Sequence, residues 1–272
     1  MVKKRLDELL VERELVETTD KAKRVIMAGN VFSQQERMDK PGMKVNDSIP
    51  LSVKGKDIPY VGRGGLKLEK ALHVFNLSVS GKTMMDIGSS TGGFTDCALQ
   101  NGARLCYAID VGYNQLDWRL RNDDRVIVME RTNFRYVTQE MLGYGKPNMA
   151  TIDVSFISVK KMLPVLRELL EANSDVIVLI KPQFEARREE VGEKGIIRDR
   201  TVHQRVVEEI LGFAEQQGFQ VHGLTHSPIT GGDGNIEFLG HLGWEKEEER
   251  QKMSETLITT VVDEAHEALR AG

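Results

Sequence analysis

Cysteine is almost missing from this chain. Two thiols in 272 residues, Cys97 and Cys106, exclude a disulfide-built scaffold, and without metal-ligand spacing they are expected to be reduced core residues. No apolar run approaches the length of a membrane span, and no basic segment leads into an apolar signal region, so a cytoplasmic location is expected. Histidine is scarce too. His222 and His226 stand four apart but lack the intervening Glu of a zinc helix, so no metal site is expected. A net charge of −4 argues against wholesale coating of nucleic acid. What is present is ordinary globular material, 40% hydrophobic and 29% charged, in a chain long enough for one large α/β domain and a small one.

The charge is unevenly spread. Residues 1–56 hold 12 Lys and Arg against 9 Asp and Glu, a balance of +3, which leaves −7 for the rest. Within this stretch Leu6, Leu9, Leu10 and Arg13 fall at helical spacing. Thr18 or Thr19 can cap a second helix with an apolar face of Ala22, Val25, Ile26 and Met27, ending at Gly29. Its other face carries Lys21, Lys23 and Arg24, and short strands and turns follow. The segments Arg5-Leu6-Asp7, Lys21 to Ile26, Ala28 to Val31, Lys40-Pro41-Gly42 and Asp47 resemble the alpha-L RNA-binding module. That resemblance implies RNA contact through Arg5, Lys21, Lys23 and Arg24, with Asp20 standing where the module commonly has Arg. The expected organisation is a module over 1–56, a polar linker over 57–62 and a catalytic domain over 63–272.

Beyond the linker, apolar runs alternate with helical patterns. Strands are expected at 83–87, 104–109, 125–129, 148–152, 175–180, 219–225 and 236–242, with helices near 65–75, 92–101, 159–171 and 202–217. Such alternation implies a mostly parallel, Rossmann-like sheet covered on both faces. The segment from Lys246 to Ala268 places Met253, Leu257, Ile258, Val261, Val262 and Ala265 on one side of a final amphipathic helix.

The stretch Asp86-Ile87-Gly88-Ser89-Ser90-Thr91-Gly92-Gly93-Phe94-Thr95 runs from a strand through a glycine turn into a helix. Its G-x-x-x-G-G spacing differs from the pyrophosphate-binding G-x-G-x-x-G. Asp86 at the strand end can accept from a cationic amine, and Asp110 after the next apolar run stands where an acid bonds ribose hydroxyls. A nucleoside with an amino-acid tail and no phosphate fits: S-adenosylmethionine, held around Asp86, Gly88, Ser89, Thr91, Gly92, Gly93, Phe94 and Asp110. Polar residues also close other elements. Asp153 follows one strand, Lys181 another, Glu237 follows a glycine loop, and Lys67 opens the helix before the first strand. A lysine in a cleft beside carboxylates is suited to move a proton from a hydroxyl, with Asp153 and Glu237 orienting Lys181.

Lys67, Asp153, Lys181 and Glu237 match in order and context the Lys-Asp-Lys-Glu tetrad of FtsJ-like ribose 2′-O-methyltransferases. Arg63-Gly64-Gly65-Leu66-Lys67-Leu68, the glycine turn, Asp110-Val111-Gly112-Tyr113, Glu130-Arg131-Thr132-Asn133, Asp153 to Ser158 and Lys181-Pro182-Gln183-Phe184-Glu185 resemble the TlyA, or hemolysin A, family over essentially the whole chain. The resemblance implies methylation of cytidine 2′-hydroxyls in 16S or 23S ribosomal RNA, ribosomal RNA or ribosomal subunits as partner, and Asn133 near the adenine. Two alternatives go with it: an inactive fold serving as a ribosome assembly factor, and a membrane-active haemolysin. The segment 185–200 lacks an apolar period, and its Arg187, Arg188 and Arg198, with Arg63, are expected RNA contacts.

Overall fold

The computed structural model describes residues 3–34, 36–53, 58–246 and 254–270. Chain contacts divide it into two units, Met1–Arg63 and Gly64–Gly272. The expected linker falls partly outside the described residues, and its second half is not loose, since Tyr60 and Val61 are buried. Arg63 belongs to the first unit.

The first unit begins with a short strand that periodicity does not reveal, β1 (Lys3–Arg5), followed by helices α1 (Leu6–Glu12) and α2 (Thr19–Met27). Strands β2 (Val31–Ser33), β3 (Glu36–Arg37), β4 (Lys44–Asn46) and β5 (Ser52–Val53) complete it. β1 pairs with β4, while β3, β2 and β5 make a three-stranded sheet in that order. Thr18 caps α2 by accepting from the Lys21 backbone N–H. Leu6, Leu9, Leu10, Ala22, Val25 and Ile26 form the core with Val31 and Val45. Met27 does not join them. It is 55% exposed, because position 27 falls on the opposite side of α2 from 22, 25 and 26. Arg13 lies beyond the end of α1, where its guanidinium donates to the carbonyls of Ile49 and Asp47.

The second unit is built on a seven-stranded sheet. Its elements run α3 (Gly64–Val74), β6 (Thr83–Ile87), α4 (Gly93–Gln100), β7 (Leu105–Ile109), the single turn α5 (Trp118–Arg121), β8 (Val126–Met129) and β9 (Met149–Ile152). Then come α6 (Leu163–Leu169), β10 (Ser174–Ile180), the single turn α7 (Pro182–Glu185), α8 (Arg200–Gln216), β11 (Gln220–His226), β12 (Phe238–Trp244) and α9 (Glu255–Arg270). The strand order is β11-β12-β10-β9-β6-β7-β8. β8, β7, β6, β9 and β10 are mutually parallel, and only β12 reverses, pairing antiparallel with both β10 and β11. The central strands are buried end to end, as expected of parallel strands covered on both faces. Cys97 and Cys106 are free and buried. In α9, Ile258, Val261, Val262 and Ala265 face the core, while Leu257 is 41% exposed; Met253 lies outside the described residues. Among the described residues no helix is long and apolar enough to cross a membrane.

Candidate active site

The direction of β12 assembles the site. Because that strand runs antiparallel to β10, Phe238 at its start lies beside Ile180 at the end of β10. Glu237, just before β12, is thereby brought to the carboxyl edge of the sheet, where ligands of such folds bind. Gly231 closes over it: a Cβ there would lie 2.7 Å from Glu237 Oε1.

Two ion pairs occupy this edge. Lys181 Nζ stands 2.5 Å from Asp153 Oδ1 and donates to Ser155 Oγ at 2.9 Å. Lys67 Nζ donates to Glu237 Oε2 at 2.6 Å, with both side chains buried. Glu237 therefore holds Lys67, not Lys181 as its sequence context led us to expect. Burial acts to raise the Asp153 carboxyl, but the positive charges of Lys67 and Lys181 outweigh it and hold the group below the usual carboxylate range. The four residues thus form one electrostatic cluster. Truncating one member of a buried pair typically costs about 3–5 kcal/mol, because it leaves the other charge without compensation.

The glycine turn after β6 lies next to this cluster. Gly88, Ser90 and Gly92 all have positive φ, at 86°, 50° and 95°. Gly88 has no room for a side chain: a Cβ would collide with the Asp153 carbonyl, and the Asp153 N–H in turn donates to the Ile87 carbonyl at 2.9 Å. A Cβ on Gly92 would strike Leu120 and Leu116. Ser89, Gly92, Gly93 and Phe94 are buried, whereas Thr91 is half-buried. Phe94 packs under the start of α3, where a Cβ on Gly64 would touch its ring at 3.3 Å.

Asp86 does not face outward to meet an amine. It is 1% exposed, and its carboxylate accepts from Thr95 N at 3.1 Å, Thr95 Oγ1 at 2.7 Å and Thr151 Oγ1 at 2.9 Å. Burial, helped by the nearby negative charge of Asp153, outweighs the threonine hydrogen bonds and pushes it up to about 6. Its visible work is to hold the first turn of α4 and strand β9 to β6. Asp110 stands at the end of β7, half-exposed, accepting from Gly112 N at 2.7 Å and Ser90 N at 2.8 Å. These bonds leave lone pairs on both oxygens. Asn133 caps a short 3-10 turn by accepting from Arg135 N at 3.1 Å.

Several residues that sequence reasoning passed over also shape the site. Glu130, after β8, accepts from the backbone N–H groups of Asn114, Gln115 and Leu116 and pairs with Arg121. Those partners, the Arg121 guanidinium foremost, hold it down at about 2. Phe156 has a φ of 62° and is 91% exposed, with its ring 4.9 Å from that of Phe184. Asn235, 1% exposed, donates to the Gly195 carbonyl and accepts from Ile197 N, so the segment 193–197 is tied to the loop that leads to Glu237. Ser155, Phe156 and Glu130 stood inside recognisable motifs, but nothing in their spacing announces what they touch.

The expected RNA contacts fare unevenly. Arg187, Arg188 and Arg198 are exposed. Arg5 is committed to a fork-shaped pair with the buried Asp7, at 3.0 and 2.7 Å. That contact lowers the Asp7 carboxyl. Lys21 Nζ lies 3.7 Å from Glu17, just before α2, and Lys23 Nζ lies 3.6 Å from Asp20 in its first turn, while Arg24 is half-buried. The basic face of α2 is therefore partly neutralised where it stands. Asp20, in the place of an Arg, contributes to that directly.

A sheet of this order, with an acid- and glycine-rich turn after its central strand, is the Rossmann-like architecture of a methyltransferase. The FtsJ-like methyltransferase family model matches residues 60–244, and the chain belongs to that family. It is 61% identical, over 98% of its length and 96% of the other's, to YqxC of Bacillus subtilis, a candidate rRNA methyltransferase. Identity is 39% to the 16S/23S rRNA (cytidine-2′-O)-methyltransferase TlyA of Mycobacterium tuberculosis, over 86% of this chain and 88% of the relative. Among solved structures, a candidate hemolysin of Streptococcus thermophilus superposes with a TM-score of 0.79 at 51% identity, covering 100% of this chain and 98% of that one.

Proposed function

We propose that the protein transfers a methyl group to the 2′-hydroxyl of a cytidine in ribosomal RNA, of the small subunit, the large subunit or both. The observation that carries this reading is the convergence of Lys181–Asp153 and Lys67–Glu237 at one sheet edge, beside the glycine turn. The residues of that edge suit S-adenosylmethionine. Asp110 and Asp153 present carboxylates where a phosphate would be repelled, and the turn's backbone approaches without side chains. Asp110 would take the ribose hydroxyls, Asn133 the adenine side, and Ser89, Thr91, Gly92 and Gly93 the amino-acid tail. Asp86 would support the turn from within.

When bound, that cofactor supplies an electrophilic methyl group on a positively charged sulfur. The protein's part is to hold the acceptor oxygen and dispose of its proton. A ribose hydroxyl is a weak acid that becomes strongly acidic only as its oxygen gains the new bond. The proton then passes to Lys181 Nζ, which takes part as the neutral amine after giving its own proton to solvent, and Ser155 and Asp153 fix the direction of Nζ. Lys67 and Glu237 complete the charge balance and flank the hydroxyl. Phe156, almost wholly exposed at the same edge, offers a ring for an unstacked base. Arg187, Arg188, Arg198 and the N-terminal unit would contact the RNA backbone, whose affinity should fall with salt.

The test is transfer of label from S-adenosylmethionine to ribosomal particles, with the modified nucleotide mapped. Substrate carrying 2′-deoxyribose at that nucleotide should take no label. Methylation of the deoxy substrate would mean that a base is the acceptor.

A further inference from the structure

The segment 153–159, between β9 and a 3-10 turn at Val159–Lys161, carries Asp153, Ser155 and Phe156. Its first end is fixed by β9 and by the packing of Gly88 on Asp153. Its far end is fixed from another element. Glu185, the last residue of the turn that begins just after Lys181, accepts from Ser158 Oγ at 2.6 Å and from Val159 N at 2.8 Å. Ser158 in turn caps the 3-10 turn by accepting from Lys160 N. Between the two anchors lie Ser155, in contact with Lys181 Nζ, and Phe156, whose left-handed backbone a bulky residue rarely adopts without being held there. Phe184, on the same short turn as Glu185, meets the Phe156 ring. The element that starts at Lys181 thus also sets the far end of the loop that orients it.

We propose that Glu185 is a positioning residue for methyl transfer: by gripping Ser158 and Val159 it sets Ser155 and Phe156 against Lys181. This rests on the assignment of Lys181 and Asp153 given above. The arrangement carries a cost that a surface cap would avoid. Burial pushes the Glu185 carboxyl above its ordinary range, against the two hydrogen bonds and the nearby Lys160 that favour its charged form. Glu209 adds like charge, which Lys160 partly offsets through an ion pair at 3.6 Å.

The experiment uses the full chain, labelled S-adenosylmethionine and ribosomal particles under single-turnover conditions, with amide hydrogen exchange on the same preparations. Glu185→Ala should slow transfer by about 10²-fold, the scale expected when a reacting group is misplaced by about an ångström. Cofactor affinity should be unchanged, and exchange should quicken in 154–159 but not in β6 or β10. Glu185→Gln should recover most of the rate, since its amide can accept from Val159 N–H and donate to Ser158 Oγ. Adding Ser158→Ala to Glu185→Ala should cost little beyond the lost cap to Lys160 N, because the Ser158–Glu185 contact is already broken. Wild-type transfer rates in Glu185→Ala, or equal losses of rate and cofactor affinity in both Glu185 variants, would overturn the proposal. A wild-type protein that transfers no label would instead sink the proposed reaction, and the exchange data would still say whether Glu185 holds the loop.

Discussion

Four carboxylates sit in a row at the carboxyl ends of adjacent strands, and those at the ends of β6 and β9 are used in opposite ways. Asp86 is surrounded by threonine hydroxyls and drifts up to about 6. Asp153, on the neighbouring strand, faces two lysines and is held below its ordinary range. Burial pushes both upward. What separates them is whether the partner carries charge: hydroxyls and an amide relieve burial only in part, whereas two ammonium groups reverse it. On the next strands outward, Asp110 accepts from two backbone amides, and Glu130 adds the Arg121 guanidinium to its amide partners and is held down at about 2. Position on the sheet puts an acid at the edge. Its neighbours decide whether it becomes a strut or part of the chemistry.

The largest expected effect breaks the contrast from the Asp153 side. Lys181→Ala should lower turnover by about 10²–10⁴-fold while cofactor still binds. Asp153, left with Lys67, should titrate higher, closer to Asp86, which carbon-detected NMR of the carboxyl would follow. Wild-type turnover in that variant would remove Lys181 from the chemistry.

Asp86 gives the next effect, in stability. Its folded value is raised from 3.8 to about 6, so it contributes no penalty at low pH, and stability falls as pH climbs through that window. The loss is on the order of 3 kcal/mol. Asp86→Asn should flatten this part of the pH profile in urea unfolding. An unchanged slope would mean that the carboxyl is ionised without cost. Asp110→Ala should weaken S-adenosylmethionine binding by roughly one to two orders of magnitude in a folded protein, from the loss of hydrogen bonds to a charged group. Calorimetry with unaltered affinity would take Asp110 out of the site. The smallest effect belongs to Glu130, and its sign is opposite to that of Asp86. Lowered from 4.5 to about 2, it contributes stability above pH 4.5 that is lost as pH falls toward 2. Glu130→Gln should remove that acid sensitivity and cost roughly 1–2 kcal/mol at neutral pH.

The buried strands were legible because parallel strands covered on both faces write themselves as apolar runs: β6, β7, β9 and β10 begin and end within a residue of expectation. Short elements left no such trace. β1 is three residues of Lys and Arg, defined only by its partner β4. The tetrad positions could be read as polar residues closing successive elements, but their pairing could not. Which lysine meets which acid depends on β12 running backwards, a long-range fact with no local signature. The same holds for Arg5, whose charge suggests RNA until Asp7 is seen buried beneath it. The inward turn of Asp86 likewise depends on Thr151, 65 residues away.

Gly88 has one more consequence. A side chain there would collide with the Asp153 carbonyl, so the glycine turn after β6 and the loop after β9 have no slack between them. A shift of either backbone must be met by the other at this contact. An added methyl at Gly88 should therefore damage cofactor affinity and turnover together, in a ratio that no change of substrate concentration can separate. Under the proposed function, holding the donor and aiming the acceptor would be a single structural task at this point of the chain.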